Sequence, residues 1–175
     1  MPANFNNEIC KKCPYCNGKQ MLNATLTSPI DVENNNSNTL FVFQAPGIEE
    51  WNGVNGKRAP IVSSNSHSAA ARIRNSMNRK SVSRNEFDYA ETVQCYPGKY
   101  TSGRDKKPRK GAINQCIKHL ETVIIEGEYN SIIAFGKVSC SSVQNIADKN
   151  KLEISIIKAK HPSSGVTNQV LDGYY

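Results

Sequence analysis

The segment Thr39-Leu-Phe-Val-Phe-Gln44 runs directly into Ala45-Pro46-Gly47. A short apolar run that ends in proline and glycine is typical of a buried strand that meets a loop, so the segment predicts a central strand. Further candidate strands follow at 89–95, 131–135 and 152–158. Between the strands, apolar residues recur at helical spacing and predict helices at 66–79, 111–125 and 138–149.

Strands that alternate with helices favour an α/β fold with a mainly parallel sheet. We therefore expect a three-layer α/β/α sandwich around a four-stranded sheet, formed by a single domain over residues 1–175. Residues 1–38 are its cysteine-bearing N-terminal segment and a polar loop. Because such sheets bind ligands at the carboxyl ends of their strands, one site should be lined by the loops after Gln44, Val93, Phe135 and Lys158.

The chain carries 22 lysine and arginine residues against 15 aspartate and glutamate residues, which gives a net charge of +7. Its apolar runs fall far below the roughly 18 residues that span a bilayer, and no apolar leader follows Met1. We therefore expect a cytoplasmic monomer with no membrane association. The positive charge favours a polyanionic partner, with nucleic acid first, although solubility alone would also account for it.

Basic residues concentrate in the loop at 98–110, which contains Lys99, Arg104, Lys106, Lys107, Arg109 and Lys110. A loop of this charge density is typical of phosphate contact. A second group of cations lies in and after the predicted helix at 66–79 and contains Arg72, Arg74, Arg79, Lys80 and Arg84. A solvated charged surface is the alternative interpretation of both groups.

The chain contains six cysteines. Cys13-Pro-Tyr-Cys16 is a pair with two intervening residues, Cys10 forms an overlapping pair with Cys13, and Cys95 and Cys116 lie far along the chain. Thiols stay reduced in an intracellular protein, so clustered cysteines favour a metal over disulfides. Thiolates are soft ligands that select an iron–sulfur cluster or zinc.

Three longer segments occur in a definite order: Phe41-Val-Phe-Gln-Ala-Pro-Gly-Ile-Glu-Glu50, Ala90-Glu-Thr-Val-Gln-Cys-Tyr-Pro-Gly98 and His161-Pro-Ser163. Asn114-Gln-Cys116 and Ile132-Ile-Ala-Phe-Gly136 fall between them. Together these segments resemble the uracil-DNA glycosylase superfamily, and most closely its iron–sulfur-containing family-four branch. The resemblance implies a DNA-binding hydrolase of base-excision repair that flips a base out of DNA and cleaves its N-glycosidic bond.

The resemblance also implies roles for individual residues. His161 matches the histidine that stabilises the departing base, Gln44 stands where the family has a catalytic glutamate, and Glu91 stands where it has a uracil-reading asparagine. Other matched positions lie around the base: Ala45, Pro46, Gly47 and, in place of a stacking phenylalanine, Ile61. Relatives contact DNA through the turn that contains Ser163 and Val166, with Val166 as the candidate wedge in the duplex.

In the family-four branch, four cysteines hold a [4Fe–4S] cluster. The resemblance assigns this set to Cys13, Cys16, Cys95 and Cys116, with Cys10 as an alternative to Cys16 and zinc as an alternative to the cluster. We expect such a cluster to be structural, because it would tie the N-terminal segment to the loop after Cys95.

The two departures from the family pattern change the expected chemistry. The amide of Gln44 accepts no proton near neutral pH, so water activation falls to Glu49, Glu50 or Asp88, or the water needs only orientation. An ionised Glu91 only accepts hydrogen bonds and would repel the O4 oxygen of uracil. It suits adjacent donors such as N1–H and N2–H2 of guanine, and a protonated Glu91 would suit cytosine.

Structural roles are the alternatives for these acidic residues. Glu91 would then pair with a nearby lysine or arginine, and Glu49 and Glu50 would stabilise the start of a helix.

We therefore predict a monofunctional DNA glycosylase that acts on a modified or damaged base other than uracil. The alternatives are a DNA-binding protein that has this fold without catalysis, and an ordinary uracil-DNA glycosylase. The composition, rich in asparagine and lysine, favours an AT-rich genome of bacterial or viral origin.

Overall fold

The computed structural model describes residues 12–15, 29–51, 68–162 and 165–175, with Glu49 described by its backbone alone. The strands in these ranges are β1 (Thr39–Phe43), β2 (Asp88–Glu91), β3 (Ser131–Phe135) and β4 (Ser155–Ala159). They form one sheet in the order β2-β1-β3-β4, and every neighbouring pair is parallel. The expected parallel four-stranded sheet is confirmed.

The helices of the described residues are α1 (Ile48–Trp51), α2 (Ala69–Lys80), α3 (Lys110–Glu126), α4 (Lys137–Asn150) and α5 (Asn168–Asp172). Side-chain oxygens cap the N-termini of two of these helices. Ser68 accepts a hydrogen bond from the N–H of Ala71 at the start of α2, and Thr167 accepts one from the N–H of Val170 at the start of α5. No helix in the described ranges is long and apolar enough to cross a membrane.

The side chains of β1 alternate between two buried layers, as a strand with helices on both faces requires. Leu40 and Val42 pack into one core cluster with Leu120 of α3 and Val143 of α4. On the other face, a second cluster contains Phe41 of β1, Ile73 and Met77 of α2, and Leu171 of α5. Both faces of the sheet are therefore covered, which confirms the three-layer α/β/α sandwich.

One described stretch of the N-terminal segment, residues 12–15, packs into an apolar cluster outside the sheet. Cys13 and Tyr15 are buried in a third apolar cluster, together with Trp51 of α1 and Val93 after β2. The hydroxyl of Tyr15 accepts a 2.8 Å hydrogen bond from the backbone N–H of Arg109, which precedes α3. The segment is thereby fixed against the loops that follow β1 and β2.

Some predicted elements differ from those observed. The predicted strand at 89–95 ends at Glu91, because the chain bends away while the N–H groups of Thr92 and Val93 still donate to the carbonyls of Phe43 and Gln44. The fourth strand begins at Ser155 rather than at residue 152. The helix predicted over 66–79 is observed at Ala69–Lys80, and its first two predicted residues lie outside the described ranges.

Candidate active site

The ends of β1 and β2 bring Gln44 and Glu91 side by side. Phe43 pairs with Glu91 in the parallel register, and the N–H of Val93 donates to the carbonyl of Gln44 at 3.1 Å. Glu91, which matches the uracil-reading asparagine, therefore lies next to Gln44, which matches the catalytic glutamate. The loops after β1 and β2 meet at one edge of the sheet, as the sequence predicts.

Glu91 is a buried carboxylic acid, with only 4% of its surface exposed. Thr92 and Gln94, which follow it, are equally enclosed. A charged carboxylate at such a position requires hydrogen-bond donors or a cation close by, since burial of an uncompensated charge is costly. Because Glu91 is buried, the stability of its charged form depends on the polar groups that lie next to its carboxylate.

His161 follows β4 at the same edge of the sheet. Phe135 pairs with Ala159, and the N–H of Gly136 donates to the carbonyl of Ala159 at 2.9 Å. Gly136 has a φ of +86°, and a Cβ atom placed on it would lie 3.2 Å from the Cβ of His161. The absence of a side chain at Gly136 thus permits the close packing of His161 over the end of β3.

Burial lowers the pKa of His161 below its usual value, while the negative charge of Asp105 acts in the opposite direction. The imidazole is therefore mainly neutral near pH 7, and a neutral ring still carries one N–H that can donate a hydrogen bond. Asp105 belongs to the loop at 98–110, which follows β2 at the same edge of the sheet.

An aromatic stack links the two halves of this edge. The rings of Phe43, at the end of β1, and Phe135, at the end of β3, stack with centroids 4.7 Å apart and planes 6° apart. Gln44 follows one ring and Gly136 follows the other. The stack therefore holds together the end of β1, which precedes Gln44, and the end of β3, where Gly136 packs against His161. The sequence indicated both strands but not this contact.

Three carboxylates are proposed for water activation, those of Glu49, Glu50 and Asp88, and the structure places Glu50 and Asp88 differently. The side chain of Glu50 accepts the N–H of Gly47 at 2.9 Å, at the start of α1, which agrees with its structural alternative. Asp88 accepts hydrogen bonds from the backbone of Asn35 at 2.7 Å and from the hydroxyl of Tyr129 at 2.8 Å. It opens β2, at the opposite end from Glu91, so its proposed role as a base is wrong. The side chain of Glu49 lies outside the described residues.

A groove of about 710 Å³ opens on the α4 side of His161. Its cations are Lys137 at the start of α4, Lys158 in β4 and Lys160 after β4, and Gln144 and Asn145 line the same space. Its lining includes neither Gln44 nor Glu91. The groove therefore extends the site along the edge of the sheet and suits a negatively charged chain.

The cations of the loop at 98–110 are all exposed, as phosphate contact requires: Lys99, Arg104, Lys106, Lys107, Arg109 and Lys110. The second predicted group is different. Arg79 forms an ion pair with Asp172, and the guanidinium of Arg84 pairs with Glu33. These two cations are therefore paired with carboxylates of the same chain.

The turn that follows His161 is only partly described. Ser163 lies outside the described residues, as does Ile61. Val166 is half-buried against the apolar cluster on the α2 face, and its carbonyl accepts a hydrogen bond from the guanidinium of Arg72. The backbone at Val166 is thus braced by α2.

Three of the predicted metal ligands come together. Cys13, Cys95 and Cys116 are buried in one cluster, and the thiol of Cys13, together with burial, raises the pKa of Cys116. Among the described residues, no three Cys, His, Asp or Glu side chains already form a metal-binding group. Cys10 and Cys16, the remaining candidates, lie outside those ranges.

The sequence matches a known protein family. A model described as the uracil DNA glycosylase superfamily matches residues 30–171. The chain belongs to the uracil-DNA glycosylase superfamily. Members of this superfamily are DNA N-glycosylases, so membership indicates base excision from DNA. The comparison with curated proteins finds no match.

The matched range of the superfamily contains all four strand ends, together with Gln44, Glu91 and His161. It also contains Cys95 and Cys116, whereas Cys13 lies before it. Sequence reasoning missed the contact of Gly136 with His161 and the influence of Asp105 on that ring. A glycine directly after a buried strand was the available signal for the first, but nothing along the chain reveals which side chain packs on it.

Proposed function

We propose that this member of the superfamily excises a modified or damaged base other than uracil. The observation that carries the proposal is the buried carboxylic acid of Glu91 at the end of β2, next to Gln44. Uracil presents an acceptor beside a donor, whereas an ionised carboxylate only accepts. A base with adjacent amino and imino donors would match the accepting oxygens of the Glu91 carboxylate, whereas uracil would not.

His161 is the proposed donor to the departing base. As the bond from C1′ to the base nitrogen breaks, the electron pair leaves with the base, and negative charge develops on its ring. A neutral N–H placed at a base carbonyl would stabilise that charge, and preorganised donors of this kind contribute about 3–4 kcal/mol. The partly buried setting of His161 lowers its pKa, which favours the neutral ring, and strengthens this interaction.

Water completes the proposed reaction. Its oxygen bonds to C1′ of the sugar, and its proton finally passes to the released base or to solvent, which leaves an abasic site. Gln44 would hold this water through its amide without removing the proton, and Glu49 is the candidate base. With water as the only nucleophile, the enzyme is monofunctional.

We also propose that the protein belongs to the iron–sulfur-containing branch. Cys13, Cys95 and Cys116 are soft ligands buried together, and Cys16 would complete the set. A [4Fe–4S] cluster there would supply a structural link rather than a reacting group, with zinc as the alternative metal. The residues that it would join belong to the N-terminal segment, the loop after β2 and the first half of α3.

A panel of oligonucleotides tests the proposed function. Each would carry one base at a defined position: uracil, hypoxanthine, xanthine, or a modified guanine or cytosine. Alkaline cleavage reports abasic sites, and His161→Ala is the inactive control. We expect cleavage at a base with amino or imino donors and little at uracil. Cleavage at uracil alone would contradict the proposed base choice.

A DNA-binding protein without catalysis is the second candidate, favoured by the amide at Gln44 in place of the family glutamate. It predicts salt-dependent binding of DNA and no abasic product from any member of the panel. Measurable turnover on any base would exclude it.

A further inference from the structure

The basic loop after β2 is an ordered hairpin, which we name the Tyr100 hairpin and define as residues 98–106. The N–H of Lys106 donates to the carbonyl of Gly98 at 2.8 Å, and that of Tyr100 donates to the carbonyl of Arg104 at 2.8 Å. A bridge pairs Lys99 with Asp105. The hairpin therefore presents its side chains from a defined backbone.

Contacts at its base attach the Tyr100 hairpin to the domain. The hydroxyl of Tyr96 donates to the carboxylate of Asp105 at 2.8 Å. Pro97 and Pro108, which flank the hairpin, are buried. Because the base is fixed, a ligand that binds the tip does not have to order it first, which lowers the entropic cost of binding.

Tyr100 projects an aromatic ring into solvent at the tip. Half of its surface, 50%, is exposed, more than for any other large apolar side chain in the described ranges. Its neighbours in the hairpin include the exposed cations Lys99, Arg104 and Lys106. The hairpin's one acidic residue, Asp105, accepts the hydroxyl of Tyr96. An exposed ring among cations is the combination that binds unpaired nucleotides, by stacking on a base while the cations hold phosphates.

The hairpin stands near the candidate active site. It follows β2 and His161 follows β4, and because the sheet is parallel both lie beyond the same edge of the sheet. A DNA strand whose target nucleotide reaches His161 would therefore pass the hairpin.

We propose that Tyr100 is a stacking platform for an unpaired base of DNA that lies beside the flipped nucleotide. The proposal rests on DNA as the partner of this protein, but not on base removal. Phosphate contacts alone would need the cations and not the ring. The platform favours single-stranded DNA, because bases stacked in a duplex are not available to Tyr100.

Binding measurements on Tyr100→Ala and Tyr100→Phe test the platform. Fluorescence anisotropy would follow the intact protein with a labelled single-stranded oligonucleotide and with the matching duplex, at several salt concentrations. Loss of one base–aromatic stack should raise the Kd for the single strand about 5- to 150-fold. Tyr100→Phe should bind like the wild type, and the duplex affinity should change less.

Two further variants separate stacking from charge and from loss of folding. Lys106→Ala should reduce the salt dependence by about one phosphate contact, whereas Tyr100→Ala should leave the salt slope unchanged. Ile125→Ala removes another exposed apolar side chain, on α3, and should leave binding unchanged. Equal Kd values for Tyr100→Ala and the wild type would overturn the proposal, as would equal losses on single strand and duplex.

The binding assay is independent of the base-excision assay. If the wild type releases no base but Tyr100→Ala loses single-strand affinity, the platform stands and the proposed catalysis fails. If the wild type releases a base and Tyr100→Ala binds normally, the platform fails and the proposed catalysis stands.

Discussion

Gly136 and His161 pack closely against each other in the candidate site. A side chain on Gly136 would meet the Cβ of His161 at 3.2 Å, and both backbones are tied to the ends of β3 and β4. Neither partner can move away without disturbing the sheet. The position of the proposed donor therefore depends on the absence of one methyl group.

We predict that Gly136→Ala lowers kcat by about 100-fold, because small displacements of a positioned group have effects of that order. Gly103→Ala is the matched control, since Gly103 also has a positive φ, of +78°, but nothing within 4 Å of the added Cβ. Both variants should lose unfolding free energy because of the positive φ, and Gly136→Ala should lose about 1–3 kcal/mol, since its ψ of 167° lies in a region that only glycine readily adopts. Single-turnover kinetics and urea denaturation measure the two effects, and equal kcat losses would refute the contact.

Asp105 should tune the acid–base behaviour of His161. Its negative charge raises the histidine pKa against the larger lowering by burial, so Asp105→Asn should lower that pKa further. NMR titration of the ring, assigned by comparison with His161→Gln, measures the change. A pKa for wild-type His161 above the ordinary value of about 6.5, or a rise in Asp105→Asn, would contradict the assigned environment.

At the scale of elements, the periodic sequence patterns predicted the strands and helices that are long enough to display a period. The strand at 131–135 has its predicted bounds, and α3 and α4 each extend one residue beyond theirs at either end. The short helices α1 and α5 were missed because four or five residues do not display a helical period. The second strand was predicted too long because its bend depends on backbone contacts with β1.

One carboxylate links α2 to α5 in addition to their apolar contacts. Asp172 accepts hydrogen bonds from the hydroxyl of Ser76 and from the guanidinium of Arg79, at 2.7 Å for one nitrogen. These donors lower the pKa of Asp172 to about 2. The charged form therefore stabilises the fold at neutral pH and loses this effect as the pH falls towards 2.

We predict that Asp172→Asn lowers Tm at pH 7, because the ion pair with Arg79 is lost. The difference from the wild type should be constant above the unfolded pKa of about 3.9 and should shrink as the pH falls below it. Thermal unfolding across this range measures the trend. A difference that grows on acidification would show that Asp172 has no such role.

At the scale of the whole molecule, residues far apart in sequence meet at one edge of the sheet. The proposed donor His161 follows β4, Glu91 ends β2, and the Tyr100 hairpin and Cys95 of the cysteine cluster follow β2. The order of motifs predicted the strand ends, but not which carboxylates reach the site. Asp88 opens β2, at the end opposite the site, as the predicted strand at 89–95 already implied, whereas the structural role of Glu50 depends on its contact with Gly47.

The buried cysteines lead to a separate prediction about the metal content of the protein. In anaerobically purified protein, we expect iron and acid-labile sulfide in the wild type and their loss in Cys13→Ser, Cys95→Ser and Cys116→Ser. Cys140→Ser is the matched control, because the thiol of Cys140 lies 3.1 Å from the carbonyl of Ala134 in another part of the core. Zinc in place of iron, or full iron content in the three variants, would contradict the cluster.

Base release by the wild type and by Glu91→Asn tests the central claim most directly. The two proteins would be compared in single turnover on uracil and on the base that the wild type prefers in the oligonucleotide panel. We predict that the wild type cleaves the non-uracil base and that Glu91→Asn loses this activity and gains activity on uracil, because the amide restores a donor beside an acceptor. If the wild type cleaves uracil efficiently and Glu91→Asn does not change the preference, Glu91 does not read the base and the account is wrong.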